Sequence, residues 1–241
     1  MNQYERTIRL IGEEKQQSLR SKRVLLFGLG GVGGGCLEGL ARAGIGEITL
    51  VDNDIFAYSN LNRQILATHD TIGRDKVDVG EERIHAIDPS IQVIKKKMFY
   101  LPEKKEEFHF SSYDVIIDCI DTIKAKLDII SEAKAQNVLV LSAMGCGNRL
   151  DPTALRVGEL FETSGDPLAK IMRRELRKRG VTSLTVVYSL EHPIKPAPLP
   201  ETEQQADPKK GRKDVPGSAP FVPLVAGELL AYTAVSALLK F

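Results

Sequence analysis

Short apolar runs alternate with segments of helical spacing along the first 150 residues. Arg23-Val-Leu-Leu-Phe-Gly28 is an apolar run that ends in glycine, and Leu37, Leu40 and Ala41 in the following segment share one helical face. The same alternation predicts strands at 23–28, 47–52, 91–95, 114–120 and 138–142, with helices at 32–43, 76–87 and 123–135. A run such as Val115-Ile-Ile117 leaves neither face suited to water. The pattern therefore predicts an α/β fold with a doubly wound, mostly parallel sheet covered by helices on both faces.

After Leu150 the alternation loosens, although three further elements can be recognised. A strand at 154–160, a helix at 167–179 and a strand at 184–188 are expected to extend the sheet. Residues 193–220 are dense in proline, lysine, glutamate and glutamine and have no apolar periodicity, which predicts a mobile loop. We expect one domain, 1–241, made of a core at 1–150 and an extension at 151–241.

The two ends of the chain bear on its location. Residues 221–239 are mostly apolar but are interrupted by Pro223, Gly227 and Glu228, which favours a buried or docking C-terminal helix over a membrane anchor. The first ten residues lack the basic flank and apolar run of a secretory signal. We therefore expect a cytoplasmic protein with no stable membrane insertion.

Composition narrows the functional class. The chain has 241 residues, 42% of them hydrophobic and 27% charged, which excludes wholesale disorder and a polytopic membrane protein. Lys and Arg (33) almost balance Asp and Glu (32), so attraction for nucleic acid would have to come from a local cluster of cations. Its cysteines, Cys36, Cys119 and Cys146, lie far apart in sequence, which argues against a disulfide framework and a cysteine-bound zinc and favours a reducing compartment.

A glycine-rich turn carries the first chemical signal. Gly28, Gly30, Gly31 and Gly33 lie between a predicted strand and a predicted helix, where bare glycine backbone can approach phosphate at the positive end of the helix. Asp52 ends the second strand, about where a Rossmann-like site places the carboxylate that binds ribose hydroxyls. Together they predict a nucleotide site, which we prefer to a purely structural turn.

Several polar side chains nearby suit a triphosphate. Asn60, Arg63 and Lys76 offer an amide and two cations that could stabilise a departing pyrophosphate. Asp121 follows the fourth strand and could hold Mg²⁺ with water and phosphate oxygens. Each has a plainer alternative: the cations could be solvated, Asp121 could cap the next helix, and Asp118 could be a ligand or a structural residue.

The order of these motifs resembles a known superfamily. Gly28-Leu-Gly-Gly-Val-Gly33, Val51-Asp-Asn-Asp54, Ser59-Asn-Leu-Asn-Arg-Gln64, Gly73-Arg-Asp-Lys76 and Asp118-Cys-Ile-Asp121 look like the adenylation domain of the ubiquitin-activating (ThiF/MoeB/HesA) superfamily. The resemblance implies a Rossmann-like fold, a homodimer, and the use of ATP and Mg²⁺ to convert a carboxylate into an acyl adenylate.

The resemblance also assigns roles to individual residues. It gives Asp52 to the ribose, Asn60 and Arg63 to the phosphates, Lys76 to the triphosphate and Asp121 to magnesium. Arg6 matches the arginine that such dimers insert into the neighbouring subunit's site. Its alternative is a solvated arginine on an N-terminal helix.

The second half of the chain narrows the resemblance. It has no cysteine after Cys146, so the zinc ribbon common among sulfur-carrier activators is absent. Residues 142–152 and 166–180 are instead similar to the tRNA threonylcarbamoyladenosine dehydratases, which adenylate the threonyl carboxylate of a modified adenosine so that the side chain closes into a ring. An adenylyltransferase for a ubiquitin-like sulfur-carrier protein stays open as the alternative. A sulfur-transfer partner and a monovalent cation also stay open.

The helix predicted at 167–179 supports a tRNA substrate on physical grounds. At 100° per residue, Lys170, Arg173, Arg174 and Arg177 form one cationic stripe opposite an apolar face. Such a stripe could bind the phosphate backbone of tRNA, although it could also be a solvated face without a partner.

The reaction itself requires no nucleophile from the enzyme. Cys146 lies between two glycines after a predicted strand and could form a thioester, but a small buried cysteine is the preferred interpretation because no basic partner is evident. An NAD-dependent oxidoreductase and a non-catalytic nucleotide-binding scaffold are further alternatives. Both leave Arg63, Lys76 and Asp121 unexplained as a set.

Overall fold

The computed structural model describes residues 2–198 and 216–241. In these residues the helices are α1 Glu5–Ile11, α2 Glu13–Leu19, α3 Gly31–Ala43, α4 Lys76–Ile87, α5 Ile123–Ala135, α6 Pro167–Lys178 and α7 Phe221–Leu239. The strands are β1 Arg23–Phe27, β2 Glu47–Val51, β3 Gln92–Lys96, β4 Val115–Asp118, β5 Leu139–Ala143, β6 Leu155–Glu159 and β7 Thr185–Ser189.

The strands form one sheet in the order β3-β2-β1-β4-β5-β7-β6. Every neighbouring pair is parallel except β6 and β7, which are antiparallel. The chain reverses its direction of travel across the sheet between β1 and β4, which is where open α/β sheets form a ligand crevice. The predicted doubly wound fold is confirmed, as is the extension of the sheet by the elements after Leu150.

Alternate residues of β4 show why helices must cover both faces. Val115 and Ile117 pack into the apolar core on the side of α3 and α7, whereas Ile116 between them packs into the core beside α5 and α6. All three side chains have no exposed surface. Such a strand gains stability only when both faces of the sheet are covered.

Small residues let α7 lie very close to α3. A Cβ atom on Gly35 would be 2.6 Å from the carbonyl oxygen of Leu224, and one on Gly227 would be 2.1 Å from that of Val32. Of the helices described, α7 alone is long and apolar enough to span a membrane. Its close packing on α3 agrees with the prediction of a docking helix at the C-terminus.

The predicted mobile loop is described only at its ends, because residues 199–215 lie outside the described residues. Both ends are bonded to Asn148. Its carbonyl oxygen accepts from the backbone N–H of Ile194 (2.7 Å), and its side-chain Oδ1 accepts from that of Gly217 (2.6 Å). The described ends of this segment are therefore held against the loop that follows β5.

One strand is shorter than the sequence predicts. The apolar run 114–120 forms β4 only as far as Asp118, since its side-chain Oδ1 accepts from the backbone N–H of Ile120 (3.3 Å) and turns the chain. The turn brings Asp121 to the carboxyl end of the strand.

Candidate nucleotide site

The turn between β1 and α3 is tight enough to require glycine. Gly28 has φ +86°, a conformation that other residues rarely adopt, and a Cβ on Gly33 would lie 1.7 Å from the Gly28 carbonyl oxygen. Gly30 is the N-cap of α3. The first backbone N–H groups of α3 are therefore available to an anion at this turn. Gly31 has a further packing role, because a Cβ there would lie 2.9 Å from Pro223 on α7.

Asp52 connects the glycine turn to the end of β2. Its carboxylate accepts from the backbone N–H groups of Leu29 (2.6 Å) and Asp54 (2.8 Å). Burial raises the pKa of this carboxyl above its ordinary value, while the positive charge of Lys76 lowers it. A fixed carboxylate with lone pairs to spare at this position suits a pair of ribose hydroxyls.

The cations predicted for the triphosphate are not freely solvated. Lys76 is 5% exposed, and its Nζ lies 3.1 Å from Asp54 Oδ2. The half-buried Arg63 donates from Nη1 to the Ser59 carbonyl oxygen (2.7 Å), and burial lowers the pKa of its guanidinium. The alternative of a solvated surface cation is therefore wrong for Lys76, which is buried. Arg63 is half-buried and is not fully solvated.

A short helical segment that begins near Asn60 brings the backbone of Arg63 to the glycine turn. The Asn60 side-chain Oδ1 accepts from the backbone N–H of Ala57 (3.0 Å), which fixes the start of that segment. A Cβ on Gly31 would lie 3.2 Å from the carbonyl oxygen of Arg63, so the backbone of Arg63 lies against the glycine turn.

Gln64 is a candidate site residue that the sequence reasoning did not single out. The residue is 7% exposed, and its buried Oε1 has no hydrogen-bond partner within residues 2–198 and 216–241. Its Nε2 lies 3.9 Å from the position of a Cβ on Gly30. An unpaired buried amide beside the glycine turn is a costly arrangement that a bound polar group would relieve. Its place in the motif 59–64 was the only signal in the sequence.

Asp118 has a structural role, which resolves the alternative left open by the sequence. Asp118 and Lys126 are both fully buried, with Lys126 Nζ 2.8 Å from Asp118 Oδ2. The same ammonium donates to the Ile120 carbonyl oxygen (3.1 Å), and Ser142 Oγ donates to Asp118 Oδ2 (2.7 Å). The network holds the short segment that leads to Asp121.

The sequence did contain a signal for Lys126. It shares the buried face of α5 with Ile129, Ile130 and Ala133, at helical spacing. A lysine at such a position requires a buried acid as its partner.

Asp121 is exposed at the carboxyl end of β4. The alternative that it caps α5 is wrong, since the N-cap is Thr122 and no side chain caps that helix. No group of three or more His, Cys, Asp or Glu residues suited to a metal occurs in the described ranges. A Mg²⁺ ion held by one carboxylate would depend on phosphate oxygens and water for its other ligands, which is a usual arrangement for nucleotide-bound magnesium.

Sheet order explains why these residues meet. The strands β2, β1 and β4 are neighbours, and adjacent strands lie about 4.8 Å apart. Asp52, Gly28 and Asp121 follow the carboxyl ends of these strands, so the glycine turn lies between the two acids. The carboxyl ends of these central strands are therefore where the predicted site residues lie, namely Asp52, Asn60, Arg63, Lys76 and Asp121.

Arg6 is not engaged in this site within the protomer. It is exposed on α1, a helix with no buried residue, and it makes no hydrogen bond to the rest of the described chain. Leu10 on the same helix is 86% exposed. The surface of α1 is therefore available to another molecule.

The cationic stripe on α6 is present, but its four residues differ in exposure and in hydrogen bonding. Of the apolar face predicted at Leu168, Ile171, Met172 and Leu176, only Met172 and Leu176 are buried, together with Ala169, and the other two are half-buried. Among the cations, Lys170, Arg174 and Arg177 are exposed, whereas the half-buried Arg173 donates to Thr163 Oγ1. The guanidinium of Arg177 also lies 5.2 Å from the ring centre of Phe161.

Cys146 is half-buried in the loop after β5. Burial raises the pKa of the Cys146 thiol to about 12, so little thiolate exists at neutral pH. The raised pKa argues against a nucleophile, although the residue is half-buried and not the fully buried cysteine that the sequence analysis preferred.

Comparison with known proteins places this geometry in a family. The profile of the ThiF family matches residues 4–240. The tRNA threonylcarbamoyladenosine dehydratase of Bacillus subtilis is 38% identical over 243 residues, which span 100% of this chain and 96% of the relative. The sulfur carrier protein ThiS adenylyltransferase of Escherichia coli is 35% identical over 61% of this chain and 60% of its own length.

A solved structure agrees with the sequence relatives. The crystal structure of E. coli tRNA N6-threonylcarbamoyladenosine dehydratase, TcdA, in complex with ATP superposes with a TM-score of 0.86. The alignment covers 99% of this chain and 94% of that one at 29% identity. The chain therefore belongs to the ThiF family, in the branch that contains the tRNA threonylcarbamoyladenosine dehydratases.

Proposed function

We propose that the protein is an ATP-dependent enzyme that dehydrates threonylcarbamoyladenosine in tRNA by adenylating its threonyl carboxylate. The observation that carries the proposal is the convergence of Asp52, Asn60, Arg63, Lys76 and Asp121 around the glycine turn. The full-length similarity to the B. subtilis dehydratase supports this substrate over a carrier protein, since the ThiS adenylyltransferase aligns with only part of this chain.

In the proposed site, Asp52 accepts the ribose hydroxyls and the glycine turn holds phosphate. Asn60, Arg63 and Lys76 bind the triphosphate, and their donors stabilise the charge that develops on the departing pyrophosphate. Asp121 would hold Mg²⁺, which when bound supplies positive charge to the phosphate oxygens.

The chemistry proceeds in two steps. An oxygen of the threonyl carboxylate attacks the α-phosphorus, the bond to pyrophosphate breaks, and an acyl adenylate forms. The carbamoyl group of the same side chain then attacks the acyl carbon, loses a proton and expels AMP, so that the nucleoside has lost one water. The second step is intramolecular, and a positioned attack of this kind has an effective molarity on the order of 10⁵ M or more. Cys146 takes no part in either step.

We also propose that the enzyme is a cytoplasmic homodimer built as a single adenylation domain. The exposed apolar side chain of Leu10 supports a partner for α1, and Arg6 on the same helix would reach the partner's triphosphate. A measurement of mass in solution and an Arg6→Ala variant test this point. A monomer with unchanged AMP formation in the variant would refute it.

The proposed tRNA footprint includes Lys170, Arg173, Arg174 and Arg177. The exposed members would bind backbone phosphates, and each such contact should contribute about 0.9 to the slope of log affinity against log salt. Arg173 would first have to leave Thr163, so we expect it to contribute less than Lys170 or Arg174.

Mass spectrometry of tRNA nucleosides tests the function directly. The protein is incubated with threonylcarbamoyladenosine-containing tRNA, ATP and magnesium, and the tRNA is digested under mild conditions that preserve a labile ring. We expect the loss of one water that requires ATP and disappears in Asp121→Asn. The exposed Asp70 provides a matched control, and Asp70→Asn should retain the reaction. An unchanged nucleoside together with adenylation of a sulfur-carrier protein would refute the proposal in favour of the alternative.

A further inference from the structure

A buried arginine connects the edge of the nucleotide site to the start of the cationic helix. Arg149 is 3% exposed, and its Nη2 lies 2.9 Å from Oδ2 of Asp166, the N-cap residue of α6. Its Nη1 donates to the Gly145 carbonyl oxygen, and its Nε donates to that of Glu191 (3.1 Å). One guanidinium therefore joins the loop after β5, the chain after β7 and the beginning of α6.

The other carboxylate oxygen of Asp166 faces the helix. Oδ1 accepts from the backbone N–H of Ala169 (2.8 Å), so the residue that pairs with Arg149 also caps α6. The close approach leaves no room for a side chain at position 145, where a Cβ would lie 2.9 Å from Arg149 Nη1 and 3.3 Å from Asp166 Oδ2. The start of α6 is thus fixed against the loop at the carboxyl end of β5.

This attachment sets the distance between the cations and the nucleotide site. With α6 anchored at Asp166, Lys170 lies one turn from the edge and Arg177 lies about 10 Å further along the axis, at 1.5 Å per residue. Phosphate contacts fix the orientation of a bound nucleic acid without reading its sequence. A cationic helix whose start is tied to the reaction edge can therefore determine which nucleotide reaches the α-phosphate.

We infer that the buried Arg149–Asp166 pair is a positioning device that holds the cations of α6 in register with the nucleotide site for tRNA. The inference rests on the proposed function, since it assumes that α6 binds the tRNA backbone. Arg149 and Asp166 act through the helix and touch neither substrate.

The test removes the pair without removing a cation from the stripe. The double variant Arg149→Met with Asp166→Ser eliminates both buried charges and keeps a good N-cap residue. We expect the KM for tRNA to rise about tenfold, the KM for ATP to change less than about twofold, and the salt slope of tRNA binding to fall although every stripe cation is intact. Arg149→Met with Asp166→Asn also removes both charges and retains a good N-cap residue with a neutral acceptor, so it provides a second variant if the first double variant does not fold.

A second ion pair with a buried acid lies at the amino ends of the strands and provides the control. Arg20 Nη2 lies 2.7 Å from Asp88 Oδ2, and Asp88 is 3% exposed at the end of α4. Arg20→Met with Asp88→Ser removes an ion pair in which only the acid is buried, and it should lower the free energy of unfolding while leaving the salt slope for tRNA unchanged. A purely structural role of Arg149 predicts the same result for both double variants.

Stripe variants separate failure of the inference from failure of the proposed function. Lys170→Ala and Arg177→Ala should each reduce the salt slope in the otherwise unchanged protein. If they do, and the Arg149–Asp166 variants retain the original slope and KM, only the positioning inference is overturned. If the stripe variants have no effect, the tRNA footprint and the inference built on it are both overturned, whereas the nucleotide site is not.

Discussion

Removal of Lys126 should show how much the buried network beneath Asp121 contributes to the free energy of unfolding. Lys126 and Asp118 have no exposed surface, and their charged atoms are 2.8 Å apart. At an effective dielectric constant of about 20, unit charges at that distance attract by about 6 kcal/mol, most of which offsets the loss of hydration of both groups. Lys126→Met leaves the carboxylate buried without its partner. We expect the free energy of unfolding to fall by about 3–5 kcal/mol.

The same substitution should weaken the response to magnesium. Without the Lys126 ammonium, the Ile120 carbonyl oxygen loses its donor and the segment before Asp121 is held less firmly. AMP formation should therefore require a higher Mg²⁺ concentration for half-maximal rate. Urea unfolding followed by circular dichroism measures the first effect, and a magnesium titration at saturating ATP measures the second.

A double variant distinguishes loss of the pair from loss of packing. Adding Asp118→Asn to Lys126→Met removes the unpaired charge and keeps an acceptor for the Ser142 hydroxyl, so at least half of the lost stability should return. The half-buried pair Lys105–Glu132, whose charges remain in contact with solvent, serves as the control, because Lys105→Met should change the unfolding midpoint little. The reasoning is refuted if Lys126→Met costs less than about 1 kcal/mol, or if the double variant is no more stable than the single one.

Three further predictions follow from individual residues. Cys146→Ala should keep AMP formation within about twofold, because burial raises the pKa of this thiol to about 12; a loss of more than about 100-fold would make Cys146 a nucleophile. Gly227→Ala would place a Cβ 2.1 Å from the Val32 carbonyl oxygen and should lower the free energy of unfolding by about 3 kcal/mol. The exposed Tyr232→Ala should change it by about 0.5 kcal/mol, and equal effects would contradict the close α3–α7 packing. Adenosine binding measured by calorimetry should weaken as the pH falls, because protonation of Asp52 removes the acceptor for the ribose hydroxyls. The weakening should begin at a higher pH than for an ordinary aspartate, since burial raises the pKa of Asp52. A wild-type affinity that does not change with pH would contradict the ribose assignment.

Much of the fold was predictable because each strand and helix carries its own period. The helices predicted at 76–87 and 123–135 have those bounds in the structure, since their apolar faces and flanking residues are local signals. The strand predicted at 114–120 was too long, because the strand itself ends at Asp118. Ile120 continues the apolar pattern, but its backbone is turned by the Asp118 side chain.

The site was predictable where one segment supplies the chemistry and less so where distant segments combine. Asp52 could be inferred from its distance after the glycine turn, because the strand length fixes where it falls. The partner of Asp118 could not be named, since Lys126 and Ser142 come from different elements that meet only in the folded sheet. Gln64 shows the same limit, because its place in the motif 59–64 does not indicate that its amide is buried beside Gly30.

The extension after Leu150 fixes the start of the cationic helix α6 beside the loop that follows β5. Its amphipathic spacing was evident from the sequence, but spacing alone gives no position relative to the nucleotide. That position is set by the antiparallel β6–β7 pair, which adds strands beyond β5 and brings Glu191 to the same edge as Gly145. Arg149 then bonds to both carbonyl groups and to the cap of α6. If the α6 cations bind tRNA, the specificity of the reaction depends on a pair of buried charges as much as on the groups that touch the phosphates.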